Sequence, residues 1–154
     1  MSQPGASQSP GRNGWLLLLL ARDAIGASGP AELDPLRIQK GMFLLSKRGP
    51  ARDLYQFRPY NWGPFSAEVY ADLDDLTAQG YLNRSAVPGK TWSTYRVTSR
   101  GEETARSLAT AAEPADIVWL KSAREYLSTR TFSQLLREIY AEYPHFAVNS
   151  QFEG

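Results

Sequence analysis

Residues 60–101 read YNWGPFSAEVYADLDDLTAQGYLNRSAVPGKTWSTYRVTSRG. In the opening YNWGPF, Gly63 can take a positive φ and Pro64 can start a helix. Ser66 is placed to cap that helix. Val69, Leu73 and Leu76 then recur at intervals of four and three with Tyr70 beside them, and Gly80 stops the run. Tyr81–Ser85 and Ser93–Thr98 have the character of short strands, with Val87–Pro88–Gly89–Lys90 as the hairpin loop between them. Tyr95 and Val97 point one way and Arg96 the other. Thr98 caps a further helix running to about Ala111.

Upstream, Asp34 is a cap and Pro35 the first residue of a helix to about Lys47, ended by Gly49–Pro50. Ile38, Met42 and Leu45 share one stripe of it, Leu36 and Phe43 another. Arg37, Lys40, Lys47 and Arg48 fall between the stripes and make a basic outer edge. Before it, Trp15–Ala21 (WLLLLLA) is apolar all round and marks a core helix over about 14–27. That run is far short of the ~18 apolar residues of a membrane span. Arg22 and Asp23 follow it at once, and a single preceding base is no n-region, so it is not read as a signal peptide. Leu54–Arg58 alternates, Tyr55 and Phe57 on one face, as a short strand does. Residues 1–12 have the Ser, Gln, Pro and Gly content of a flexible tail.

Downstream, Pro114 opens a helix to about Thr129, and Thr131 with Gln134 has a capping-box spacing. Phe132, Leu135, Leu136, Ile139, Tyr140 and Tyr143 then form the cleanest amphipathic stripe of the chain, ended by Pro144. The fold class expected is α+β and mostly helical. The order helix, helix, strand, helix, strand, loop, strand, helix is that of a winged helix-turn-helix with a small antiparallel sheet and a C-terminal two-helix extension. The expected organisation is a tail at 1–12, the winged-helix domain at 13–112, the extension at 113–145 and a tail at 146–154. A homodimer through the C-terminal helices is expected, unless their stripe packs within the chain.

The segments LDPLRIQKGMFLLS (33–46), YQFRPYNWGPFSAEVYADLDDLTAQGYL (55–82) and YRVTSRG (95–101) resemble a group of small bacterial winged-helix proteins. The shared pattern is an LQK-type helix, an aromatic–Gly–Pro turn, an ExYxDLDxL-type helix and a wing ending in a threonine-capped helix. The group is similar to the antitoxin-like Panacea domain, and the likeness covers roughly 15–105. It implies transcription regulation, or neutralisation of a partner protein in a toxin–antitoxin or phage-defence setting. The longer C-terminal helices depart from the Panacea pattern.

Composition narrows the chemistry. The chain has 154 residues, 42% of them hydrophobic, enough for one domain with its own core. It has no cysteine and one histidine, His145, which removes disulfides, thiolate nucleophiles and Cys- or multi-His metal sites. No phosphate-binding Gly-rich loop or nucleophile elbow occurs. The expected protein is a cytoplasmic non-enzyme without cofactor, metal or catalytic residues. The net charge is only +1, but residues 61–80 carry four acids and no base.

That distribution decides how DNA could be met. The helix at 66–79 would normally enter the major groove. Its polar positions are Glu68, Asp72, Asp74 and Asp75, and each carboxylate beside phosphates costs roughly a few tenths to 1 kcal/mol. The first expectation is therefore a DNA-binding regulator that contacts the backbone through the wing (Arg84, Lys90, Trp92, Arg96, Arg100) and the second-helix bases (Arg37, Lys40, Lys47, Arg48), with Arg52 and Arg58 nearby. The alternative is a protein-interaction module without DNA binding. It would use the aromatic turn (Tyr60, Trp62, Phe65) and the acidic helix (Glu68, Asp72, Asp75).

Overall fold

The computed structural model describes residues 10–152, and its centre is the apolar run Trp15–Leu20, every side chain of which is buried. The protein is α+β and 56% helical, with two separate two-stranded antiparallel sheets among the described residues. The elements are α1 (Gly11–Leu20), α2 (Pro35–Arg48), β1 (Arg58–Tyr60), β2 (Gly63–Phe65), α3 (Ala67–Ala78), β3 (Leu82–Ala86), β4 (Ser93–Val97), α4 (Ser99–Ala111), α5 (Pro114–Thr129) and α6 (Phe132–Glu142). A short 3-10 helix, Pro144–Ala147, follows. Helices α2, α3, α4 and α5 all pack on α1. An all-apolar helix needs this, since it has no face to give to water.

Helix α1 is shorter at its end than the expected 14–27. It stops at Leu20, and residues 22–26 form a turn around the charged pair Arg22–Asp23. Its C-terminal carbonyls are met from far along the chain. Arg124 of α5 donates from Nη1 to the carbonyls of Leu19 (2.7 Å) and Leu20 (3.0 Å), and from Nη2 to those of Pro30 (2.7 Å) and Ala31 (3.3 Å). At its other end α1 begins inside the segment read as a tail. Arg12 is in its first turn and binds α3, while residues 1–9 lie outside the described part.

Helix α2 begins as expected, with the Asp34 side chain accepting from the Arg37 N–H at 2.9 Å. Residues 54–57 are irregular rather than a strand. The strand starts at Arg58 and pairs with β2 in the register Arg58↔Phe65, Pro59↔Pro64, Tyr60↔Gly63, so the aromatic turn is itself a hairpin. Gly63 permits this by adopting φ +99°. Ser66 precedes α3, but its hydroxyl makes no cap bond. Buried Gln39 of α2 does the work on the Ser66 backbone instead, donating to its carbonyl and accepting from its N–H, both at 2.9 Å.

Strands β3 and β4 pair from Leu82↔Val97 to Ala86↔Ser93. Leu33, just before α2, adds an antiparallel bridge to Tyr95 with bonds of 3.0 and 2.9 Å. The C-terminal helices are not an appended unit. Leu120 and Leu127 of α5 and Leu135 of α6 belong to the core cluster that contains α1. Leu136 and Ile139 are buried as well, so the stripe expected to join two copies is covered within the chain. Residues 146–152 are no free tail either. Phe146 packs edge-on against Phe43 at 4.9 Å, and the Gln151 N–H donates to the Asn61 carbonyl at 2.8 Å. No helix among the described residues is long and apolar enough to cross a membrane.

Candidate functional site

A cleft of about 670 Å³ opens where the β1–β2 hairpin, the start of α2, the tip of the β3–β4 hairpin and the start of α6 meet. Its apolar walls are Leu36, Trp62, Tyr70, Trp92 and Phe132, with Asp34, Arg37 and Thr91 on its edge. Trp62 is 40% exposed and Trp92 47%. Thirty positions apart in sequence, they are wetted side chains that share one concave surface. Trp92 belongs to the residues expected at DNA, Trp62 to those expected at a protein partner.

The hairpin carrying Trp62 is braced from both sides. Tyr60 stacks on Phe65 at 4.8 Å, and the Arg58 guanidinium lies 5.4 Å from the Tyr60 ring and 5.6 Å from that of Phe65. Phe65 in turn meets Tyr70 of α3 at 5.6 Å. Trp62 leans on Phe132 at 6.1 Å, and its carbonyl accepts from Nζ of Lys40. Tyr60 and Phe65 thus position the turn, while Trp62 faces the opening.

The second-helix bases do not make one basic surface. Lys40 is 1% exposed, not on an outer edge. Burial lowers its pKa to about 7, opposed by the Asp34 carboxylate. Arg37 bonds Asp34 at 2.7 Å and donates to the carbonyls of Leu127 and Arg130, each at 3.1 Å, which closes the C-terminal end of α5. Arg48 pairs with Glu142 at 2.8 Å, and Lys47 lies 5.9 Å from the Phe43 ring and 5.8 Å from that of Phe146. Lys47 and Arg48 stay exposed, as an outer edge requires, whereas Lys40 is enclosed by the β1–β2 hairpin and the start of α6.

The wing bases are divided by the strand register. Arg84 is paired with Tyr95 on one face, and Arg96 with Asn83 on the other. Arg84 reaches to 3.8 Å from Asp74 of α3. Arg96 lines a separate groove that also holds Asp23, Glu102, Glu103 and Arg106. Arg100 sits over the Tyr81 ring at 4.6 Å, and Lys90 over Trp92 at 5.3 Å. Trp92 remains open to solvent beside the loop.

The acids of α3 divide too. Asp72 is buried rather than on a solvated face. It accepts from the Tyr55 hydroxyl at 2.6 Å and from Arg12 at 2.8 and 3.0 Å. Glu68 accepts from Arg12 at 3.1 Å and from the Gln56 N–H at 2.8 Å. The Tyr55 pKa is pushed up, first by burial and then by its bond to Asp72. This cluster ties α1 to α3 and lies outside the cleft. Asp74 and Asp75 stay exposed, Asp74 one helical turn beyond Tyr70.

Leu36, Tyr70 and Phe132 were not singled out as site residues in the sequence. Each sits within a helical pattern whose other members are core, and no periodicity links the separate segments that bring them together. His145 is exposed, its ring 5.4 Å from that of Phe146. Among the described residues no group of three or more His, Cys, Asp or Glu could hold a metal ion. Comparison with models of known protein families finds no match to this chain, and comparison with curated proteins finds none either.

Proposed function

We propose that the protein is a protein-interaction module that seats an apolar anchor of a partner in the cleft and meets flanking basic residues with the exposed acids of α3. The observation that carries this reading is the convergence of Trp62 and Trp92, both exposed, on one apolar concavity. Large aromatic side chains at the centre of such a concavity are typical binding hot spots. Tyr70 is part of the cleft wall, and Asp74 and Asp75 continue along the same helix, so a partner segment with an apolar anchor followed by Lys or Arg is complementary in both respects. The fold reading that goes with this is a winged helix. The order α1, Leu33 bridge, α2, α3, β3, β4 supports it, with the β1–β2 hairpin inserted before the third helix. The resemblance to small bacterial winged-helix proteins adds an antitoxin-like or defence setting, in the cytoplasm.

Selection of a random-peptide library on the immobilised full chain tests it. The expected peptides carry a Trp, Phe or Leu anchor near Lys or Arg. Affinity should fall by about 30-fold or more in Trp62→Ser and in Trp92→Ser, since each removes a central aromatic. Asp74→Lys with Asp75→Lys should slow association more than it speeds dissociation. Circular dichroism checks that the variants fold. No enrichment, or peptides indifferent to both tryptophans, would sink the proposal.

A second reading is a DNA-binding regulator, favoured by Lys90 and Trp92 exposed together at the hairpin tip. A broad backbone contact of four to six phosphates would give log K against log salt a slope of roughly −4 to −5. With the α2 bases buried, stacked or paired and Arg84 and Arg96 on opposite faces, the expected slope for a labelled random duplex is about −2 or shallower. Fluorescence anisotropy across a salt series measures it, and a slope of −4 or steeper would put this reading first.

A further inference from the structure

Lys40 is a long cationic side chain enclosed beneath the cleft. Its amine donates to the Trp62 carbonyl and lies 5.5 Å from the centre of the Phe132 ring. It fits there because Gly63 has no side chain. A Cβ on Gly63 would stand 3.1 Å from both Cε and Nζ of Lys40, and 2.8 Å from Leu136. The charged group acting on the amine is Asp34 at the start of α2, itself held by Arg37 at 2.7 Å. The hairpin brings Gly63 and the Trp62 carbonyl, and α6 brings Phe132 and Leu136, none of which titrates.

We propose that Lys40 is a proton-operated latch under the cleft: the neutral amine seats the Trp62 turn, and protonation drives the turn outward and reshapes the wall formed by Trp62 and Phe132. The consequence for binding rests on the cleft reading; the latch itself does not. A neutral amine has two N–H groups and an ammonium three, so with one acceptor in this enclosure protonation adds a further N–H without a partner and a charge opposed only by the Asp34 carboxylate. Opening the turn to water relieves both. Burial brings the pKa from the ordinary lysine value of 10.5 to about 7, so both forms are populated near neutrality. The unfolded chain keeps its proton up to about pH 10 while the folded chain has released it. Stability therefore rises with pH across that window, and the full cost is present below pH 7.

NMR of the full chain, with the lysine Cε carbons labelled, tests the latch. The background is His145→Gln, which removes the chain's one imidazole. Between pH 5.5 and 9.5 the expected midpoint for Lys40 is about 7, and the Trp62 indole resonance moves with the same midpoint. In Lys40→Met that movement of Trp62 disappears. A Lys40 midpoint above 9.5, or a Trp62 indole that ignores it, overturns the latch in the Lys40-containing chain alone, even if Lys40→Met does not fold. A Trp62 movement that persists in a folded Lys40→Met overturns it as well. These readouts need no partner, so the latch and the cleft reading can fail separately. With selected peptides, binding should be at least about threefold tighter at pH 8 than at pH 6 in the parent chain, and equal in Lys40→Met.

Discussion

Arg124→Met should lower the melting temperature by about 10 °C, with a loss of about 3–4 kcal/mol. Arg124 is fully buried and pairs with no carboxylate among the described residues, whereas buried cations are usually paired. What holds it is a ring of four backbone carbonyls, those of Leu19, Leu20, Pro30 and Ala31. Two of these end α1, where the last carbonyls have no partner within the helix and the helix dipole favours a positive charge. The last turn of α1 has no base of its own, and Arg124 supplies one from α5. Burial lowers its pKa to about 10, with Arg22 acting in the same sense and Asp23 opposing, so the side chain stays charged at neutral pH. Methionine keeps most of the volume and removes every donor. Three carbonyls are then stranded at about 1–3 kcal/mol each at most, while that of Leu20 keeps the Arg22 N–H at 3.1 Å, and the loss is partly offset because no guanidinium has to be desolvated. Thermal unfolding followed by circular dichroism measures the outcome. A variant within 2 °C of the parent would mean that the α1 carbonyls reach water and that Arg124 is not their cap.

Such long-range backbone contacts mark the limit of what the sequence discloses. Helix α2 is legible because Asp34, Pro35 and its two apolar stripes are all local, and its observed start agrees. The capping box at Thr131 and Gln134 is legible for the same reason, and both of its bonds are present. The end of α1 is not, because an apolar run carries no stop signal and its cap lies more than a hundred residues away. Lys40 defeats pattern reading in another way. Periodicity separates apolar stripes from polar strips, but it cannot tell that a distant hairpin and helix enclose one position of a strip. Arg37 and Arg124 share one logic, since each closes the carbonyl end of a helix other than its own. Arg37, which the sequence places on a basic outer edge, and Arg124 are therefore part of the architecture, and the charge left for a partner is smaller than the composition suggests.

The same distinction explains the site. Trp62 and Trp92 are each legible as aromatics at turns, but they lie in different motifs, so the sequence alone points them to different partners. Only the tertiary fold joins them. The Leu33–Tyr95 bridge ties the start of α2 to β4, and α6 brings Phe132 beside the β1–β2 hairpin. A site assembled from separate segments leaves no spacing signature. The acidic character of α3 was legible, but its division was not. Tyr55 and Arg12, distant in sequence, take up Asp72 and leave Asp74 and Asp75 to solvent.

Gly101→Ala should destabilise the protein by about 3 kcal/mol, against the ordinary preference of helices for alanine. Gly101 is in the first turn of α4, where its N–H donates to the capping Thr98 hydroxyl at 3.0 Å. In an exposed helix the exchange would stabilise by about 0.8–1 kcal/mol. Here a Cβ would stand 2.1 Å from the Tyr81 carbonyl oxygen and 3.1 Å from its carbon. That carbonyl is already fixed, because it accepts from the Thr98 N–H at 3.0 Å, and the Thr98 hydroxyl donates to the Gly80 carbonyl at 2.6 Å. Backbone therefore meets backbone, and no side chain can rotate away to make room. Either α4 lifts from the start of β3 or the Thr98 cap breaks, and the cap alone is worth about 1 kcal/mol. Because packing and propensity predict opposite signs, the direction of the change decides between them. A melting temperature lowered by about 6–12 °C supports the close crossing of α4 over Tyr81. A rise would mean that the two backbones stand apart, and the hairpin that carries Trp92 would then need a different seat on the body.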